Sequence, residues 1–191
     1  YLQTLPRPAA ASLRARKEQL NLDPTLAATI KHAYYATTTF MDAQIGRVLD
    51  KLKETDLDKN TIIVFTSDHG YHLGEHGHWQ KQTLFEDATR VPLIFAGPGV
   101  KKRLNSVEAP VELVDIYPTL MEMVGLESPS FVSGKSLTPF FKNPKTSIRS
   151  SALTELQVYT GNGRAQGYGI QTLRYRLNRW AFNDQLEYEL Y

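Results

Sequence analysis

The chain has 191 residues, 41% hydrophobic and 22% charged, with a formal net charge of +2, enough for one core or one core plus a small appendage. That balance excludes strong non-specific attraction to nucleic acid or anionic membrane, and no apolar run approaches the roughly 18–20 residues of a membrane span. The lack of cysteine excludes disulfides and thiolate metal sites within these residues and leaves the compartment open. There is no initiating Met and no leader pattern, and Leu186 to Tyr191 reads as a strand, so the chain reads as a piece of a longer protein.

Residues 1–22 start irregular, with Pro6, Pro8 and three alanines, and then turn basic, which predicts a short helix around Arg14 to Leu20. Asp23-Pro24 supplies an N-cap and a proline at the first helical position. Leu26, Ile30, Tyr34, Met41, Ile45, Val48 and Leu52 then recur at helical spacing, predicting one long amphipathic helix from Pro24 to Glu54. After a turn at Asp56 to Asn60, Thr61 to Thr66 reads as a buried strand, Leu84 to Thr89 as a short helix and Val91 to Ala96 as a second apolar strand. Continuous rather than alternating apolar runs indicate a mixed, mostly parallel α/β sheet flanked by helices.

Val107 to Val111 suggests a further strand, Asp115 to Val124 a helix stopped by Gly125, and Ser136 to Phe141 one more helical turn. From Ser150 the pattern changes to short strands at 152–156, 168–173, 175–177 and 186–191. The expected division is therefore an α/β core over 1–148 and a small C-terminal antiparallel sheet subdomain over 149–191.

The chemistry is concentrated in Ser67 to Lys81, which holds Asp68, Lys81, Glu75 and four of the five histidines, His69, His72, His76 and His78. A strand that ends in an acidic, His-rich, Gly-bearing loop is how α/β proteins place ligands at the carboxyl edge of a sheet. Asp68 either caps a turn or binds a hard cation such as calcium or magnesium through oxygen. His69 is satisfied by backbone carbonyls, ligates a metal, or hydrogen-bonds a bound oxyanion or leaving group. Lys81 is either a solvated surface lysine or the counter-charge for an anionic substrate. The spacing of His72, His76 and His78 matches no standard metal pattern, so supporting roles are expected for them, and a surface or loop-bracing role for Glu75.

The run Thr66-Ser67-Asp68-His69-Gly70, with Leu73-Gly74-Glu75-His76-Gly77, Trp79 and Lys81, resembles the second-half signature of type I sulfatases, within the alkaline-phosphatase-like superfamily. Phe85-Glu86, Ala88-Thr89-Arg90-Val91-Pro92-Leu93-Ile94, Tyr34 to Arg47, Val114 to Leu120 and Glu189-Leu190-Tyr191 agree, and the closest likeness is to the iduronate-2-sulfatase-like branch. The resemblance implies that Asp68 ligates a single calcium, that His69 sits at the metal or sulfate, and that Lys81 contacts sulfate oxygens and steadies the leaving group. It also implies a formylglycine nucleophile, made from a Cys/Ser-x-Pro-x-Arg motif in the first half of the protein, beside two more acidic calcium ligands. Ser128-Pro129-Ser130 lacks that arginine and lies on the wrong side of Asp68, so the expected partner is the N-terminal half of the same protein, and this chain alone is expected to be inactive.

The expected substrate is a sulfated sugar, such as a glycosaminoglycan, or another small sulfate ester. The expected compartment is periplasmic, extracellular or lysosomal. One alternative is a phosphodiesterase or phosphonate monoester hydrolase of the same superfamily. Another is a non-catalytic domain that grips an anionic glycan through Tyr159, Tyr168, Arg174, Tyr175, Arg176 and Trp180.

Overall fold

The computed structural model describes residues 2–13, 19, 22–100 and 106–191, and these fall into two compact units. The helix expected around residues 14–20 lies, but for residue 19, outside the described residues.

One unit comprises Leu13–Lys81 and Glu86–Pro98. Its long helix α2 (Pro24–Glu54) has the expected bounds, and Asp23 caps it by accepting the N–H groups of Thr25 and Leu26 at 2.9 and 3.2 Å. None of its 31 residues is buried, so the apolar stripe expected to face a core is open, with Phe40 and Val48 each about two-thirds exposed. Strand β1 (Ile63–Thr66) pairs antiparallel with β2 (Leu93–Ala96), Ile63 opposite Ala96 and Thr66 opposite Leu93, and the short helix α3 (Glu86–Thr89) precedes β2. β1 was expected to be buried. With one neighbouring strand among the described residues, its residues stay half-exposed or exposed.

The other unit comprises Tyr1–Ser12, Gln82–Phe85 and Gly99–Tyr191. Its elements are most of α1 (Arg7–Leu13), then α4 (Ile116–Met123), α5 (Thr138–Lys142) and a four-stranded meander, β3 (Ala152–Tyr159), β4 (Arg164–Gln171), β5 (Arg176–Phe182) and β6 (Gln185–Leu190). Residues 107–111 form no strand; the segment leads into a 3-10 turn at Leu113–Asp115, where Asp115 and Glu112 cap each other's backbone N–H groups. α4 ends as expected at Gly125, whose φ of 74° lets its N–H reach Glu122 O and that of Leu126 reach Met121 O, at 3.1 and 2.8 Å. Asn183 and Asp184, both with positive φ, make the two-residue turn joining β5 to β6.

Alternation along the meander sends Val158, Ala165 and Trp180 inward against Leu84 and Ala9. Trp180 lies across Gly167, where a Cβ would stand 2.4 Å from the indole. The inner face also buries Glu189, which accepts from Trp180 Nε1 at 2.9 Å, Asn178 Nδ2 at 3.3 Å and the Tyr191 hydroxyl at 2.9 Å. Three donors on one carboxylate satisfy the requirement that a buried charge be hydrogen-bonded. Buried Asp115 meets the same requirement, accepting from the N–H of Lys135 at 2.7 Å and pairing with Arg149, which also pairs with Glu112.

Candidate active site

β1 delivers the chain to Ser67-Asp68-His69-Gly70, and the loop returns through His78-Trp79-Gln80-Lys81. Backbone hydrogen bonds clasp the two arms: His72 N–H to Gln80 O at 2.8 Å, and Gly74 N–H to His78 O at 2.9 Å. The outgoing arm is also tied to α3, because Gly70 N–H donates to Ala88 O at 2.8 Å. Helix α2 touches the loop through Tyr34 stacked on Tyr71, with ring centroids 5.6 Å apart, and through Lys31 over Trp79 at 5.9 Å.

The clasp brings together the three residues singled out in the sequence. Lys81 Nζ lies 2.6 Å from His69 Nε2, and Asp68 Oδ2 lies 3.6 Å from the same nitrogen. His69 Nδ1 lies 2.8 Å from Gly70 O. A carbonyl oxygen only accepts, so Nδ1 carries the proton. Nε2 then holds a lone pair, which accepts from Lys81. His69 thus has its backbone partner and keeps its outward nitrogen for a ligand as well. The Asp68 side chain, two residues past the end of β1, is 84% exposed, so burial does not dictate its partner.

The other three histidines of the loop, His72, His76 and His78, pack together. His72 and His78 are buried, with His72 at the centre: His78 lies 5.0 Å and His76 6.0 Å from it, ring to ring. Burial, with His78 beside it, pushes the His72 pKa down from 6.5 to about 4, so the ring is neutral near pH 7. Burial also lowers His78, whose Nδ1 donates to Leu13 O at 3.1 Å. Burial pushes Glu75 upward, but hydrogen bonds from the N–H groups of Leu73 and of Glu75 itself, and the nearby Lys31, hold it below its ordinary value; it braces the loop as expected. The Asp87 carboxylate, not singled out in the sequence, faces His72 Nδ1 at 3.8 Å and His76 Nε2 at 3.9 Å. Its only sequence signal was its place three residues after Leu84, in a segment read as a short helix.

Asp68 and His69 offer a hard cation one carboxylate and one imidazole. Calcium takes about six to eight ligands, mostly oxygen. The pair fits as part of such a set, and among the described residues no group of three His, Cys, Asp or Glu side chains could hold a metal ion. No described helix is long and apolar enough to cross a membrane. Of the residues expected to grip a glycan, Trp180 and Arg176 are buried in the inner face of the C-terminal sheet, Arg176 donating to Leu84 O at 2.7 Å. Tyr159 and Tyr175 are exposed, and the Arg174 and Arg179 guanidinium groups lie 5.0 Å over the rings of Tyr175 and Tyr168.

Residues 6–126 match the family model described as Sulfatase, and residues 74–191 match the one described as N-sulphoglucosamine sulphohydrolase, C-terminal. An N-acetylglucosamine-6-O-sulfatase from Bacteroides thetaiotaomicron is 37% identical over 162 residues, covering 83% of this chain and 29% of that protein. A solved 2-O GAG sulfatase aligns over 99% of this chain and 42% of its own, with a TM-score of 0.86 at 24% identity, which shows a shared mixed α/β fold with its C-terminal antiparallel sheet. A phosphonate monoester hydrolase from Silicibacter pomeroyi aligns at 32% identity and TM-score 0.78 over 90% of this chain and 36% of its own. The chain spans a fifth to three-tenths of the length of the curated relatives it matches. With its family matches covering most of its residues, and with Asp68, His69 and Lys81 gathered at the end of β1, this chain belongs to the sulfatase family.

Proposed function

We propose that the protein containing this chain is a calcium-dependent sulfatase that cleaves sulfate esters of sulfated sugars, glycosaminoglycan-type substrates among them. The observation that carries this reading is the convergence of Asp68, His69 and Lys81 at one strand end, in a chain of the sulfatase family. Asp68 and His69 would hold the calcium, which when bound supplies positive charge against the sulfate. The proton on Nδ1, held by Gly70 O, keeps the His69 ring in register and leaves Nε2 facing the site. Lys81, already aimed at Nε2, turns its N–H groups to the sulfate oxygens and stabilises charge growing on the leaving oxygen.

The formylglycine nucleophile and the remaining metal ligands are assigned to the N-terminal half of the same protein. That half would also cover the open apolar stripe of α2, a role supported by Leu26, Phe40 and Val48 being half-exposed or more. The motif between Thr66 and Ile94 favours the iduronate-2-sulfatase-like branch, and the family favours a periplasmic, extracellular or lysosomal site of action.

A second reading, phosphonate or phosphodiester hydrolysis at the same residues, is supported by the likeness to the phosphonate monoester hydrolase. Tetrahedral oxyanions of sulfur and phosphorus ask for the same cationic contacts. The full-length protein, checked by mass spectrometry for formylglycine, is assayed on matched sulfate and phosphate esters with and without a chelator. Sulfate cleavage that is favoured and lost on chelation supports the sulfatase. Faster phosphonate or phosphodiester cleavage transfers the assignment. Glycan binding without hydrolysis, surviving Asp68→Ala, replaces both with a binding domain.

A further inference from the structure

The proposed chemistry uses Lys81 and His69, which lie twelve residues apart on opposite arms of one loop. Something must fix the distance between those arms, and both lead to α3. On the outgoing arm, Gly70 lies so close to α3 that a Cβ there would stand 2.0 Å from the Asp87 carbonyl oxygen, while Gly70 N–H donates to Ala88 O at 2.8 Å. On the returning arm, the residue before Lys81 is Gln80, whose carbonyl accepts from His72 N–H at 2.8 Å. The His72 ring is fully buried, and its Nδ1 faces the Asp87 carboxylate at 3.8 Å. The same oxygen lies 3.9 Å from His76 Nε2, inside the turn that closes the loop. Asp87 therefore meets the outgoing arm twice, with its backbone at Gly70 and with its side chain at the His72 ring, and the His72 N–H to Gln80 O clasp carries that placement to the Lys81 arm.

We propose that Asp87 is a positioning residue: from α3 it sets the His69 arm through Gly70 and the Lys81 arm through His72, so that Lys81 Nζ meets His69 Nε2. It touches neither metal nor substrate in this account. What the pair does once positioned rests on the sulfatase reading; that Asp87 sets its spacing does not.

The test uses the full-length protein. Asp87→Asn keeps the shape and removes the charge, Asp87→Glu restores the charge one methylene further out, and Glu86→Gln is the control, since Glu86 pairs with Arg90 on the exposed side of α3 at 2.9 Å. Asp87→Asn is expected to lower kcat on a sulfate ester by ten- to a hundred-fold, the scale of a misplacement of about 1 Å, with KM little changed and partial recovery in Asp87→Glu. In the same variant, freed of metal by a chelator and without substrate, the nitrogen-15 signal of His69 Nε2 moves, as its hydrogen bond from Lys81 lengthens, while the melting temperature stays near that of Glu86→Gln. An unmoved His69 signal, or a loss of kcat that only follows a loss of melting temperature, overturns the proposal. If the wild-type protein cleaves no sulfate ester, the sulfatase reading fails by itself. The His69 signal then decides on its own: a shift in Asp87→Asn upholds the positioning role, and an unmoved signal overturns it.

Discussion

His72 makes the loop's stability depend on pH in a direction that can be worked out. Its pKa falls from 6.5 in the unfolded chain to about 4 in the folded one, because burial and the neighbouring His78 disfavour the charged ring. The other groups facing it are Asp87 and Glu75, which favour the charge, and His76, which opposes it. Between those two pKa values the unfolded chain binds more protons, so the stabilisation is full above pH 6.5 and is lost as pH falls toward 4. For one such site the linkage relation gives a loss of about 2 kcal/mol at pH 5 and about 3 kcal/mol near pH 4. The perturbation is His72→Gln, which replaces the ring by a neutral polar amide and cannot titrate. Urea unfolding of the full-length protein, followed through the fluorescence of buried Trp79 in the same loop, is measured at pH 7.5 and pH 5. The wild type should lose about 2 kcal/mol more than the variant over that interval, since shared carboxylate effects cancel in the difference. Equal losses in the two proteins would mean that His72 binds its proton equally well folded and unfolded, the opposite of what its burial requires.

Other outcomes follow from the same structure. Arg149→Met leaves the fully buried Asp115 without its cationic partner and should cost about 3–5 kcal/mol in chemical denaturation, against less than half of that if the pair is solvated. Gly46 and Gly167 should respond to alanine with opposite signs. At Gly46, within α2, a Cβ meets nothing within 4 Å, so Gly46→Ala should raise stability by about 0.5–1 kcal/mol. At Gly167 a Cβ would collide with Trp180 at 2.4 Å and Leu84 at 2.9 Å, and Gly167→Ala should lower stability by about 1–3 kcal/mol, read in the same denaturation series.

Local signals in the sequence carried much of the fold. Asp23-Pro24 and the three-to-four spacing of apolar residues marked both ends of α2, and Gly125 marked the stop of α4, because capping and left-handed φ are properties of a few adjacent residues. Burial was less legible. The unbroken run Ile62 to Phe65 looks like an interior strand, yet among the described residues β1 has one neighbour and stays half-open, since burial depends on what packs against a strand. Trp180 shows the same limit in reverse. In a Tyr- and Arg-rich segment its residue type fits either sheet packing or a ligand platform, and alternation along β5 decides for packing, turning it inward over Gly167 and Leu84, where its N–H finds Glu189. The expected strand at 107–111 does not form: a short apolar run carries no information on whether a partner strand lies beside it.

At the site, Asp68, His69 and Lys81 were legible because their residue types announce a cation and an oxyanion, and the loop brings them together. Asp87 was not. Its partners His72 and His76 lie eleven or more residues away, and no short-range pattern links an acid on one helix to rings across a loop.

The most direct test of the central claim is the turnover of Lys81→Ala in the full-length, formylglycine-bearing protein on a sulfate ester. If Lys81 stabilises the leaving oxygen, kcat should fall by about a hundred-fold or more, the scale for losing one transition-state donor, with folding and metal content unchanged. A variant that turns over at nearly the wild-type rate would remove Lys81 from the site and contradict the account.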